Sequence, residues 1–164
     1  MSSVHLLTHP LAGNCLRTLR NRETKTEEFR RAMDKLGLLL AVEATRDFSC
    51  RNDTVITPLD VPARCSYVDD SRILLIPILR AGLGFVESFV EVLPAAKVAH
   101  VGIARDHETL EAKAYLDTTP AHPEDFDRVL MLDPMLATGN SSARAIELVS
   151  GKGYSPDKIT LVCA

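Results

Sequence analysis

VLMLDPMLATGNSSARAI, residues 129–146, is the stretch that decides the fold. An apolar run leads into Asp133, a short segment follows as far as Gly139, and the residues after it have the composition of a helix. A strand, a loop and a helix in this order form the repeating unit of α/β proteins, and loops at the carboxyl ends of parallel strands bind ligands. The stretch therefore predicts both a parallel sheet and a binding loop.

Similar units occur on both sides of this stretch. The run RILLIPIL, which begins at Arg72, is almost entirely apolar and is typical of a strand covered on both faces. Three further strands are predicted over residues 97–104, 128–133 and 158–164, with helices over residues 84–93 and 140–151. This alternation predicts an α/β fold with a doubly wound parallel sheet.

Helices and an arm are predicted ahead of the sheet. Residues 11–20 and the segment from Thr26 to about Phe48 carry apolar residues near helical spacing. TVITPLDVPARCSYV, residues 54–68, is rich in β-branched residues and contains two prolines. This composition predicts a short hairpin or an edge arm.

The composition excludes several classes of function. A length of 164 residues predicts a single domain, and a net charge of −3 argues against nucleic acid as a partner. The four cysteines have no C-x-x-C spacing, so no protein metal site is predicted. No secretory signal is recognisable, and the apolar runs are too short to span a membrane, so we expect a cytoplasmic protein.

The loop after Asp133 predicts a phosphate site. A helix N-terminus offers unpaired N–H groups and a partial positive charge, and Gly139 lets the backbone approach a ligand. Hydroxyl donors are available at Thr138, Ser141 and Ser142. Asp133 is suited to accept hydrogen bonds from sugar hydroxyls, which together predicts a ribose 5-phosphate ligand. The alternative is an ordinary helix cap beside a surface acid.

Two arginines follow other predicted strands. Arg80 lies in PILRAGLGF, residues 77–85, and Arg105 lies in IARDHET, residues 103–109. If the strands are parallel, both arginines and the Asp133 loop leave the same edge of the sheet. That placement predicts a ligand with two separated anionic groups, whereas either arginine alone would be interpreted as a surface ion pair. Residues 105–127 are polar and predict either a cover over this edge or a surface excursion.

These motifs resemble those of a known family. PILRAG, RDHETLE and DPMLATGNS closely resemble motifs of the uracil phosphoribosyltransferases, and the segments HPL, EFRRAMDKLGLLLAVEAT and TPLDVPA are similar too. The resemblance implies a type I phosphoribosyltransferase fold with N-terminal helices and a β-arm. It also implies transfer of ribose 5-phosphate from phosphoribosyl pyrophosphate to uracil, which gives UMP and pyrophosphate.

The resemblance implies a role for each part of the site. Asp133 would hold the ribose hydroxyls, residues 137–141 would bind the 5-phosphate, and the loop at Arg80, with a non-proline cis peptide, would contact pyrophosphate. Arg105 would help to hold the pyrophosphate, and Mg²⁺ would bind mainly through pyrophosphate oxygens. The implied substrate contacts are Arg80, Ala81, Gly82, Arg105, Asp133, Pro134, Met135, Leu136, Ala137, Thr138, Gly139, Asn140 and Ser141, of which Arg80, Arg105 and Asp133 are the implied catalytic residues.

Some features depart from the resemblance. We expect residues 1–164 to form one phosphoribosyltransferase domain without the C-terminal hood that reads the base in relatives, which leaves open a non-catalytic, phosphoribosyl pyrophosphate-binding fragment or regulatory protein. Asn140 stands where relatives usually have glycine; if its φ is positive, asparagine is the least costly replacement. The resemblance further implies a homodimer or a higher homo-oligomer, and GTP as a possible effector.

Overall fold

The computed structural model describes residues 3–105 and 112–164. Its N-terminal part contains helices α1 (Pro10–Arg20) and α2 (Thr26–Ala44), followed by a hairpin of strands β1 (Arg51–Ile56) and β2 (Pro62–Tyr67). The predicted helices and arm are therefore confirmed, although the helical region ends at Ala44 rather than near Phe48. None of the helices in the described ranges is long and apolar enough to cross a membrane.

The rest of the chain forms one mixed sheet with helices on both faces. Its strands are β3 (Ile73–Leu79), β4 (Lys97–Val98), β5 (Val101–Arg105), β6 (Ala112–Asp117), β7 (Arg128–Leu132) and β8 (Ile159–Val162). The helices are α3 (Leu83–Val92) and α4 (Asn140–Gly151). The order across the sheet is β6-β5-β3-β7-β8, and β4 pairs with the start of β3.

One strand runs against the predicted direction. β6 pairs antiparallel with β5, so the sheet is mixed and part of the 105–127 stretch belongs to it rather than being only a cover or an excursion. Four of the β6 residues, 113–116, are exposed, and a polar strand at a sheet edge has no apolar run by which it could be predicted. The predicted strand over residues 97–104 is also divided, because the His100 amide donates to Thr118 Oγ1 at 2.7 Å instead of to β3.

The two faces of the sheet alternate along each central strand. In β3, Leu74, Ile76 and Ile78 pack into the core beneath α4. Ile73 and Leu75 point the other way, into the core with Phe85 and Phe89 of α3 and Ala41 of α2. β7 divides its residues between the two cores in the same manner. Because both faces are covered, these strands are continuous apolar runs, which is why the sequence revealed them.

The end of β6 and the residues that follow it are hydrogen-bonded to the residues just after α4. Lys152 Nζ lies 2.7 Å from a carboxylate oxygen of Asp117 and donates to the Thr119 carbonyl at 3.1 Å, while the Tyr154 hydroxyl donates to the Pro120 carbonyl at 3.1 Å. Burial disfavours the Asp117 charge, but hydrogen bonds from Lys152 and Thr119 outweigh it and lower the pKa of Asp117. This anchor joins the sheet edge to the helix that follows β7.

We expect Asp117→Asn to lower the free energy of unfolding by about 1 kcal/mol at pH 7, because it removes the charge that Lys152 pairs with. A carboxyl whose pKa is lowered by folding stabilises the protein above its unfolded pKa, and the stabilisation is lost as the pH falls through the folded pKa. The difference between the two proteins should therefore shrink below pH 3.8, the ordinary pKa of the group.

Thermal or urea unfolding across this pH range measures the effect. Asp47→Asn, at an exposed carboxylate, is the matched control and should leave the stability unchanged. A loss for Asp117→Asn that persisted undiminished at about pH 3 would contradict the assignment of the stabilisation to this ion pair.

Candidate functional site

The carboxyl ends of three parallel strands lie side by side. The chain passes from β3 to β5 on one side, and then to β7 on the other side of β3. The order of the strands thus reverses between β3 and β7, and open α/β sheets bind ligands in the crevice outside the strand ends at such a point. The loops after β3 and β7 border this crevice.

The loop after β3 turns tightly into α3. A non-proline cis peptide joins Leu79 to Arg80, as the family resemblance implied. The Gly82 amide donates to the Ile78 carbonyl at 2.8 Å, and the Leu83 amide donates to the Arg80 carbonyl at 3.2 Å. Arg80 and Ala81 are exposed while Gly82 is buried, so the turn presents the arginine to solvent at the sheet edge.

Gly82 brings the two loops together. A Cβ atom at Gly82 would lie 2.4 Å from the Leu132 carbonyl oxygen and 2.5 Å from the Ile78 amide nitrogen. Real Cβ atoms do not approach backbone so closely, so only glycine fits at this point. Since Leu132 is the last residue of β7, the Arg80 turn rests directly on the strand end that carries Asp133.

Asp133 is buried and held in place from two directions. Its amide donates to the Val162 carbonyl at 3.0 Å, and the residue as a whole is only 7% exposed. Ser142 Oγ donates to Oδ2 at 2.6 Å, and the Met135 amide lies 3.4 Å from Oδ1. A carboxylate has about four lone-pair sites, so oxygens that accept these bonds can accept others from a ligand.

Ser142 therefore does not serve as the phosphate donor that the sequence suggested. It is 2% exposed and faces the sheet together with Ala145 and Val149, and its hydroxyl is committed to Asp133. The signal was present in the sequence, because Ser142, Ala145 and Val149 have the spacing of one helix face.

The N-terminus of α4 is open at the crevice. Gly139 is the N-cap residue at φ +77°, and within the described ranges no side chain caps the helix and its first turn contains no acidic residue. Thr138 is exposed and Ser141 is half-buried. The first amides of a helix have no partner inside it, so this end is suited to a phosphate group. Asn140 is the first helical residue and does not have a positive φ, so the conformational argument for asparagine does not apply.

The other predicted contacts lie on the same edge. Pro134 is buried, whereas Met135, Leu136 and Ala137 are exposed in the loop before α4. The backbone of Arg105 ends β5, three residues beyond Gly102, which pairs with Leu79. The Arg105 side chain and residues 106–111, which carry most of the RDHETLE motif, lie outside the described residues.

One thiol lies near the described part of this edge. Cys163 follows β8 close to Asp133; burial and the Asp133 charge raise the pKa of its thiol, so the nucleophilic thiolate is disfavoured.

Among the described residues, no three His, Cys, Asp or Glu side chains are grouped to hold a metal ion. Two cavities, of 610 and 250 Å³, lie elsewhere, at the hairpin and at its base, and neither is lined by residues of this edge.

Comparisons of the sequence with known proteins identify one family. Residues 6–164 match the family model of uracil phosphoribosyltransferase. The uracil phosphoribosyltransferase of Variovorax paradoxus is 39% identical over 163 residues, which cover 99% of this chain and 76% of the relative. The structure of AQ2163 protein from Aquifex aeolicus superimposes with a TM-score of 0.84 at 36% identity, over 96% of this chain and 74% of that one.

A more distant structure shares the fold alone. A hypoxanthine-guanine phosphoribosyltransferase from Bacillus anthracis has a TM-score of 0.55 at 11% identity, over 82% of this chain and 66% of that chain. The predicted α/β phosphoribosyltransferase fold is thus confirmed, with the antiparallel edge strand as an addition.

The contact at Gly82 can be tested directly. Gly82→Ala should destabilise the protein by more than about 2 kcal/mol, because the methyl group would collide with backbone on two strands. Gly84→Ala is the matched control, since its Cβ would meet only Met33 Cγ at an ordinary 3.5 Å. Chemical unfolding of both variants measures the difference, and equal stabilities would show that the two loops are not in contact.

Proposed function

The chain belongs to the uracil phosphoribosyltransferase family, and we propose that it transfers ribose 5-phosphate from phosphoribosyl pyrophosphate to N1 of uracil. One observation carries the proposal. The loop after β7 joins the buried carboxylate of Asp133 to the uncapped N-terminus of α4, and the turn that contains the exposed Arg80 packs against the end of β7. A sugar phosphate with a second anionic group is the ligand that this arrangement suits.

The ribose 5-phosphate part is assigned to the loop after β7. The 5-phosphate would accept hydrogen bonds from the first amides of α4 and from Thr138 and Ser141, where the helix end supplies a partial positive charge. The ribose hydroxyls would donate to Asp133. The bond from Ser142 fixes the direction of the carboxylate, so the sugar meets acceptors already in position.

The pyrophosphate is assigned to the turn after β3. Arg80 is exposed there, Ala81 is small, and Gly82 keeps the turn against β7. Arg105 would approach from the end of β5. In the reaction the bond between C1 and the pyrophosphate oxygen breaks, a bond from N1 of uracil to C1 forms, and the N1 proton is released to water. The guanidinium groups would stabilise the charge that develops on pyrophosphate.

Mg²⁺ is proposed as the accompanying ion. The described residues do not group three acidic or histidine ligands, so the ion would be held mainly by pyrophosphate oxygens and water, with the protein as a minor contributor. When bound, it would neutralise charge on the leaving group. Uracil would lie beside the exposed Met135 and Leu136, which give the loop an apolar surface.

GTP as an effector is included in the proposal on the family resemblance alone, and a cytoplasmic location on the absence of a recognisable secretory signal in the sequence.

Asp133→Ala and Arg80→Ala are each expected to weaken phosphoribosyl pyrophosphate binding at least tenfold, because each removes a charge-assisted hydrogen bond worth about 1.5–3 kcal/mol. Calorimetry with Mg²⁺ present measures the affinity, and formation of UMP from uracil is assayed alongside it. Arg31→Ala is the control, since Arg31 is exposed and pairs with Glu27 on α2.

Unchanged affinity in both site variants would defeat the assignment. Binding by the unaltered protein without any UMP formation would support the alternative of a non-catalytic phosphoribosyl pyrophosphate-binding protein.

The proposal includes a homodimer formed through the β1–β2 hairpin. Every residue of β1 is exposed, including Val55 and Ile56, and so are Leu59 and Val61 after it; the exposed fractions of these four residues are 45–84%. A two-stranded hairpin alone is marginally stable, and an exposed apolar surface of this kind marks an interaction site. A second copy of the chain is the partner that the family resemblance favours.

Ile56→Glu should weaken self-association at least tenfold, because it places a charge in the proposed apolar contact. Sedimentation equilibrium over a concentration series measures the change, and Val98→Glu, at an exposed valine of β4, is the control. A monomeric unaltered protein, or a variant that associates as tightly as the unaltered one, would contradict the dimer.

A further inference from the structure

An irregularity in the edge strands lies close to the Arg80 turn. Gly102 pairs with Leu116 and Ile103 pairs with Ala114, so Tyr115 is an extra residue with no partner in the β5–β6 ladder. Such a β-bulge changes the direction of a side chain and is common beside active sites.

The Tyr115 ring covers Gly102. A Cβ atom at Gly102 would lie 2.5 Å from Cζ and 2.6 Å from Cε2 of the ring, and 3.0 Å from Leu116 Cβ. The outer end of the ring therefore occupies the space in which a side chain at position 102 would stand. Gly102 is buried beneath the ring, although Tyr115 itself is 58% exposed.

The position of this ring relates it to the pyrophosphate end of the site. Val101 and Ile103 pack into the core beneath α4, so Gly102 faces the other side of the sheet. Leu79 faces the same side, since Ile78 also lies in the α4 core, and Leu79 pairs with Gly102. Paired residues on neighbouring strands stand about 4.8 Å apart, so the ring fills the place beside Leu79.

We propose that Tyr115 is a positioning residue for the turn that begins at Arg80. Its ring, reaching across β5 from β6, supports Leu79 immediately before the peptide bond that leads to Arg80. It thereby holds the turn in the conformation that binds pyrophosphate, without touching the substrate. The inference rests on the proposed function, because it assigns the effect to one end of the proposed ligand.

A double-mutant cycle between Tyr115 and Gly102 tests the inference. Tyr115→Ala removes the ring, and Gly102→Ala forces it away from its place. Each is expected to weaken binding of pyrophosphate with Mg²⁺ about tenfold and to raise the KM for phosphoribosyl pyrophosphate more than it lowers kcat. The double variant should bind no more weakly than Tyr115→Ala, because the new methyl group has room once the ring is gone.

Two further measurements separate positioning from a general loss of structure. Ribose 5-phosphate, which is assigned to the loop after β7, should bind every variant as it binds the unaltered protein. Tyr115→Phe keeps the ring and should restore normal pyrophosphate binding, since the support comes from the ring and not from the hydroxyl.

The inference is overturned by normal pyrophosphate binding in Tyr115→Ala, by additive losses in the double variant, or by an equal loss of ribose 5-phosphate binding. A loss in Tyr115→Phe as large as that in Tyr115→Ala would also overturn it. These results differ from a failure of the proposed function itself, in which the unaltered protein would neither bind phosphoribosyl pyrophosphate nor form UMP.

Discussion

The contact between Gly82 and the end of β7 is the constraint on which the site depends. The β3–β7 ladder runs in register from Ile73 and Arg128 to Pro77 and Leu132, and it brings the two strands to the same edge. The missing side chain at Gly82 then lets the following turn descend onto the Leu132 carbonyl. Under the proposed function, neither loop alone would distinguish a ligand with two anionic groups from a simple phosphate, but the two loops held close together would.

Electrostatics divides the loop after β7 into two parts. The buried carboxylate of Asp133 would repel a phosphate, whereas the N-terminus of α4, which begins seven residues later at Asn140, would favour one. Ser142, in the first turn of the helix, donates a 2.6 Å hydrogen bond to the Asp133 carboxylate and thereby fixes its orientation. The loop thus has hydrogen-bond acceptors at one end and donors at the other, which is the pattern that the proposed sugar phosphate would require.

The extent to which sequence predicted this structure follows from what each element buries. The sequence predicts β3, β7 and the helix over residues 140–151 to within one residue at each end. These elements are buried, and buried segments have apolar residues in a recognisable pattern. The sequence did not predict β6, because an edge strand with exposed side chains has no apolar pattern. Likewise, the sequence displays a glycine at 82 and a serine at 142, but not that one abuts a strand and the other faces a carboxylate. Those facts depend on how distant segments pack.

The hydrogen bond between Ser142 and Asp133 also affects the entropy of the loop. It joins residues nine positions apart and so closes the intervening chain into a ring whose two ends are both buried. Ordering a flexible segment opposes association, and a segment that folding has already confined loses less freedom when a ligand arrives. The loop after β7 is in this sense preorganised: much of the conformational cost of recognition is met during folding rather than during binding.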